Sequence, residues 1–231
     1  MGRLLVTAIA GALLAAAGTA AASAAPRVLF VGNSLTAAND LPAMVADLGA
    51  GVGKPLVVEM RAPGGYALED HWNLTDVRDR IAQGNFDWVV LQQGPSSLPD
   101  SGADLHEWAL TFAAAIRAAG AHPALLTVWP EWYRRGVFDS VIGNYRRAAR
   151  DSSSLLIPAG AVWKRALAGQ PRLPLYGPDG FHPSRLGTYA AAVTTVARLL
   201  RRSPIGLPVV SGVSRKNALA VQRAAARVLG G

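Results

Sequence analysis

The 231-residue chain contains no cysteine. That absence excludes disulfides, a thiol nucleophile, thiolate zinc sites and lipid attachment at a lipobox cysteine. Histidine is scarce as well, with His71, His106, His122 and His182 the whole supply, so each can be weighed singly as a base. Only Lys54, Lys164 and Lys216 among the 23 cations are lysines, and no cationic run is longer than a pair. A nucleic-acid protein would concentrate its cations on one stripe with aromatics interleaved. The net charge of +8 is read instead as a basic surface suited to anionic envelopes or polysaccharides.

Long apolar runs are also missing, except at the start. Arg3 forms a short positive region, Leu4 to Ala16 an apolar one, and Ala22-Ser23-Ala24 a small-residue cleavage site. This is the pattern of a secretory signal peptide cut after Ala24. The expected organisation is a signal over 1–24, one α/β domain over 25–203 and a helical appendage over 204–231. The expected location is secreted or periplasmic, with no stable membrane insertion after cleavage.

Past the signal, short apolar runs alternate with helical patterns. The runs are Val28 to Val31, Leu56 to Met60, Trp88 to Leu91, Ala124 to Val128 and Leu155 to Ile157. Helical spacing marks Leu41 to Ala50, Ala67 to Gln83, Leu105 to Ala119, Asp139 to Arg150 and Ser184 to Arg202. Ser140 or Asp139 is a candidate cap, and Gly120 a stop. Strands alternating with helices predict a parallel five-stranded sheet covered on both faces. Near-continuous apolar strands fit burial on both sides. After Pro204, a Gly- and Pro-rich stretch leads to an Ala/Arg-rich amphipathic helix over Asn217 to Leu229.

In an open parallel sheet, ligands bind at the carboxyl ends of the strands. Four clusters fall there. Gly32-Asn33-Ser34 follows the first run and offers either a nucleophilic hydroxyl or simple turn and cap chemistry. Gly64-Gly65 follows the second, a tight turn whose backbone N–H groups can face an anion. Gln92-Gln93-Gly94 ends the third. Buried glutamines are costly unless their amides are used, to donate to an oxyanion or to tie down the loop. Asp179-Gly180-Phe181-His182 lies late in the chain. There Asp179 would orient His182, and His182 would take the Ser34 proton. His71, beside Asp70, is the rival base. Trp129-Pro130-Glu131-Trp132-Tyr133 follows the fourth run and either lines a sugar or acyl site or packs on the core.

These ordered blocks resemble the SGNH (GDSL-like) hydrolase superfamily over essentially Arg27 to Arg202. The resemblance implies a three-layer α/β/α sandwich of flavodoxin-like type and ester hydrolysis without metal or cofactor. By position it makes Ser34 the nucleophile, His182 the base and Asp179 its partner. It places the Ser34 and Gly65 N–H groups in the oxyanion hole. Asn33, Gly64 and Trp129 are the candidate substrate-binding positions. One block departs from the pattern: the usual Gly-x-Asn-Asp is here Gly94-Pro95-Ser96-Ser97. Its missing Asn is assigned to Gln92 or Gln93, whose amides are equivalent donors, as in sialate and xylan acetylesterase-like members.

The expectation is an exported serine esterase acting on small acyl esters, plausibly O-acetyl groups of carbohydrate. The alternatives are a lysophospholipase or thioesterase on the same triad, or a silent domain that binds glycans in the same cleft.

Overall fold

The computed structural model describes residue 2 and residues 24–230. Apart from Gly2 and Ala24, the expected signal segment lies outside the described residues. Five strands form one sheet: β1 (Arg27–Val31), β2 (Val57–Arg61), β3 (Trp88–Leu91), β4 (His122–Leu126) and β5 (Leu155–Ile157). All pairs are parallel, in the order β2-β1-β3-β4-β5. Helices cover both faces, which makes the fold the α/β sandwich expected. Val28, Leu29, Val31, Val89, Leu91, Ala124 and Leu125 are fully buried, because each central strand has a helix layer on either side.

The order sets where a site can form. From β1 the chain steps outward to β2, then crosses back over β1 to β3. The loops after β1 and β3 therefore leave in opposite directions, opening a crevice at their carboxyl ends. Ser34 begins α1 (Ser34–Ala37) in that crevice.

The helices follow their punctuation. α2 (Leu41–Ala50) is capped by Asp40, whose side chain accepts from the Ala43 N–H at 3.1 Å. The single helix expected over 67–83 is two, α3 (Leu68–Leu74) and α4 (Val77–Ala82). The Thr75 hydroxyl donates to the His71 carbonyl and accepts from the Val77 N–H, a local side-chain bond that competes with the helical ladder. α5 (Pro99–Ala118) begins six residues earlier than its apolar periodicity suggests, with proline at a first-turn position that needs no N–H.

Between β4 and α6 (Phe138–Asp151), a 3₁₀ turn over Trp132–Val137 feeds straight into the helix. Neither Asp139 nor Ser140 is therefore the cap. α7 (Ala159–Gly169) is not anticipated from the sequence, although Val162, Trp163, Ala166 and Leu167 carry helical spacing and are buried. Its Pro-Ala-Gly start reads as a loop; tertiary contact makes it helical.

α8 (Arg185–Leu199) is buried almost all round, and α9 (Arg215–Leu229) packs on it and on α7. Gln222 of α9 is buried and donates to the Tyr189 hydroxyl at 2.7 Å and the Leu207 carbonyl at 2.8 Å. Among the described residues no helix is long and apolar enough to cross a membrane.

Gly160 marks the tightest helix-to-sheet approach. A Cβ there would lie 2.0 Å from the Val128 carbonyl oxygen, backbone that cannot step aside. Gly160→Ala is expected to cost about 1–3 kcal/mol or more through overpacking, measurable as a lowered urea midpoint with an unchanged m-value.

Candidate active site

Ser34 is positioned by the turn beneath it. Asn33 caps α1: its side-chain oxygen accepts from the Leu35 N–H at 3.1 Å, and its amide donates to the Tyr66 carbonyl at 3.0 Å. Under this turn lies Gln92, 1% exposed at the end of the central strand. Its oxygen accepts from the Asn33 N–H at 3.0 Å and the Thr36 hydroxyl at 2.7 Å. Its amide nitrogen donates to the Asn33 side chain at 3.0 Å and to the Gln93 carbonyl at 2.7 Å. Both amide hydrogens are thus engaged, so Gln92 has none to offer an oxyanion. The turn sits so close that a Cβ on Gly32 would come within 2.5 Å of the Gln92 side-chain oxygen; only glycine fits.

The late loop supplies the other half. The Asp179 carboxylate accepts the Phe181 and His182 backbone N–H groups on one oxygen, each at 3.0 Å. Its other oxygen lies 2.5 Å from His182 Nδ1. His182 Nε2 is 2.9 Å from Ser34 Oγ. A hydrogen-bonded line therefore runs from Asp179 through His182 to Ser34. The bond from His182, and then the Phe181 N–H, hold the Asp179 carboxyl below its ordinary value. With that carboxylate ionised, the imidazole proton belongs on Nδ1, leaving the Nε2 lone pair toward the hydroxyl.

Several further residues hold this geometry, and of them Asn39 is not singled out by the sequence. The Trp129 indole N–H donates to the Phe181 carbonyl at 3.1 Å, and the Trp132 N–H to the Gly180 carbonyl at 2.7 Å. Asn39 donates to the Pro183 carbonyl at 3.0 Å and to the Thr188 hydroxyl at 2.9 Å, which ties the loop after Ser34 to the loop of His182. Asn39 and Asp40 both have φ near +53°, the left-handed region that asparagine and aspartate tolerate best. That pair of adjacent polar residues was the only sequence signal.

The polar loop after β3 is held from α6 and its approach. The buried Tyr145 hydroxyl bonds the Gln93 backbone, Asn144 donates to the Ser96 carbonyl at 2.7 Å, and Arg134 donates to the Ser97 hydroxyl at 2.9 Å. Burial raises the Tyr145 phenol far above its ordinary value, so it stays neutral as both donor and acceptor.

The structure redistributes the other predicted positions. Gln93 accepts the Leu68 N–H at 3.0 Å and donates to Asp104 at 2.6 Å. One hydrogen of its amide has no acceptor among the described residues. The Ser34 and Gly65 N–H groups also lack an acceptor there, and Gly64 and Gly65 are exposed. Trp129 is not a substrate surface: it is 2% exposed and stacked on Trp163 at 3.6 Å between ring centroids. The aromatics that reach solvent on that segment are Trp132 and Tyr133. Asn33 is buried and committed to the turn, not free for substrate.

His71 is not a base either. It is fully buried, with Nε2 donating to the Gly32 carbonyl at 2.6 Å and Nδ1 unpartnered. His106 pairs with Asp151, and His122 begins β4 at the opposite edge of the sheet. Among the described residues no three His, Cys, Asp or Glu side chains cluster as metal ligands.

Comparison with solved structures places this fold among the SGNH hydrolases. A candidate SGNH hydrolase from Slackia heliotrinireducens is 29% identical over 76% of this chain and 99% of its own, with a TM-score of 0.65. A DUF4886 family protein from Bacteroides uniformis is 20% identical over 88% and 94%, with a TM-score of 0.74. A variant of an acetyl xylan esterase from Geobacillus stearothermophilus is 19% identical over 81% and 97%, at 0.56. Two further structures of that esterase carry catalytic substitutions, of an Asp and of a His three positions later. No family model and no curated protein matches the sequence.

Two outcomes follow from the buried polar groups. Gln92→Leu leaves the Asn33 N–H and the Thr36 hydroxyl buried without an acceptor. It is expected to lower stability by about 1–3 kcal/mol per orphaned group and to reduce turnover, whereas a solvent-facing oxyanion donor would affect turnover alone. Burial holds the His71 imidazole below its ordinary value, so the unfolded chain takes up a proton that the folded chain refuses. Stability should therefore fall as pH drops through about 6.5 and below. Urea midpoints at neutral and acid pH should show this extra loss in the native protein and not in His71→Gln.

Proposed function

Within the SGNH hydrolase superfamily, to which this chain belongs by fold and ordered motifs, we propose that it is an exported serine ester hydrolase. The observation that carries the reading is the line of hydrogen bonds from Asp179 through His182 to Ser34. In this reading His182 Nε2 takes the proton as Ser34 Oγ attacks the acyl carbon. The negative charge on the former carbonyl oxygen is met by the unoccupied N–H groups of Ser34 and Gly65, with the free Gln93 amide hydrogen as third donor. Collapse expels the alcohol, which receives its proton from His182, and leaves an acyl-Ser34 ester. Water deprotonated by His182 then releases the acid. Asp179 fixes the ring and stabilises its charged form without taking the proton.

The preferred substrate is a small acyl ester on a larger, carbohydrate alcohol. His182 and Asp179 side chains are 41% and 51% exposed, an open setting that suits a group carried on the surface of a polymer. Trp132 and Tyr133 stand exposed beside the histidine loop and give a sugar ring an aromatic face. The Asp and His named as catalytic in the acetyl xylan esterase have the spacing of Asp179 and His182. Export rests on the amino-terminal signal pattern. No metal or cofactor enters the scheme.

The test compares p-nitrophenyl acetate with longer p-nitrophenyl esters on the mature protein and its variants. Acetate should be preferred, and Ser34→Ala should lose about 10⁴-fold or more in kcat. Asp179→Asn should lose about 10²–10⁴-fold by favouring the wrong imidazole tautomer. Hydrolysis undiminished in Ser34→Ala would overturn the mechanism, and preference for long chains would move the reading to lysophospholipids or thioesters.

A further inference from the structure

The chain's cations and acids are not distributed alike. Through Asp179 fifteen cations accompany fifteen acids, and Asp179 is the last acid in the sequence. The eight cations beyond it account for the whole net charge of +8. Folding gathers part of this excess on one face. α9 turns Ala218, Val221, Gln222, Ala224 and Ala225 into the body and leaves Lys216, Arg223 and Arg227 exposed. These three and Arg165 of α7 line a groove of about 320 Å³ that has no acid among its lining residues. Lys216 also borders an adjoining hollow of about 400 Å³, with Arg172 and Asn217.

Four arginines elsewhere are matched: Arg61 and Arg80 with Glu59, Arg134 with Glu131, Arg150 with Asp151. Among the described residues none of Arg165, Arg172, Lys216, Arg223 and Arg227 has an acid within salt-bridge distance. Like charges held this close repel one another and concentrate a positive field in a low-dielectric hollow. A bound polyanion removes that repulsion.

We infer that the α7–α9 groove is a docking site for an anionic polysaccharide. Nucleic acid is disfavoured because no aromatic side chain lines the groove to stack a base. A bilayer is disfavoured because the apolar stripe of α9 is already packed on α7 and α8, leaving no apolar face to enter the headgroup region. A carboxylate-bearing glycan chain meets the arginines with paired oxygens, while Gln170 and Asn217 offer amides to its hydroxyls. The site is separate from Ser34. α7 leaves the catalytic edge at Gly160, which donates to the Thr127 carbonyl, and the groove lies along its later turns. The inference stands whether or not the ester reading does.

The test is affinity electrophoresis and titration calorimetry of the full protein with polygalacturonate, neutral dextran, phosphatidylglycerol vesicles and a single-stranded oligonucleotide. Polygalacturonate should bind in a salt-sensitive way, and dextran should not. The triple variant K216E/R223E/R227E should bind about ten-fold or more weakly, while the charge-matched K54E/R78E/R146E changes affinity less than about two-fold. Both should give the parent's circular dichroism spectrum, which reports that they are folded. No binding to polygalacturonate, equal losses in the two triples, or tighter capture by vesicles or oligonucleotide would each overturn the inference.

Discussion

A neutral amide buried at the end of the central strand carries the geometry of the site. Gln92 makes four hydrogen bonds with one side chain, and three of them go to the turn that presents Ser34. In water such bonds would be exchangeable; buried at the sheet edge they are not, because breaking any one strands a polar group without solvent. The arrangement fixes Asn33, allows only glycine at position 32, and leaves the Ser34 N–H without an acceptor among the described residues. An asparagine at position 92 would fall short by one methylene. In place of the usual third-block amide, Gln92 supports the Ser34 turn from below.

The proposed reacting groups and the groups that support them are divided by burial. Ser34, His182 and Asp179 sit at the open edge, half-buried or exposed. Their supports, Gln92, Tyr145, Trp129 and Trp163, are each 4% exposed or less. Each support is held by more than one partner, which is what keeps a histidine on a glycine- and proline-bounded loop within 2.9 Å of a serine 148 residues away. Asn39 closes the arrangement by bonding the loop after Ser34 to the loop of His182 across the crevice.

Charge is divided as well. The edge that carries Ser34 and His182 holds one buried amide system and one carboxylate kept ionised by its hydrogen bonds. Part of the excess positive charge lies on the α7–α9 face, where Lys216, Arg223 and Arg227 come from the chain that follows the last acid.

Much of this was legible in the linear chain. The five apolar runs and their spacing determined a parallel α/β sheet, because strands buried on both faces admit no polar alternation. Ser34 at the end of β1 and Asp179-x-x-His182 in a late loop between α7 and α8 were legible as candidate reacting groups. Local rules failed where a distant contact outweighed them. α7 lacks a start signal and becomes a helix by packing Trp163 under Trp129; the helix expected over 67–83 breaks because Thr75 bonds backward and forward at once. The roles of Gln92, Gln93 and Trp129 also required the fold. An amide or an indole reads the same in sequence whether it faces a ligand or a backbone carbonyl, and only the position of a partner 11 to 59 residues away decides which.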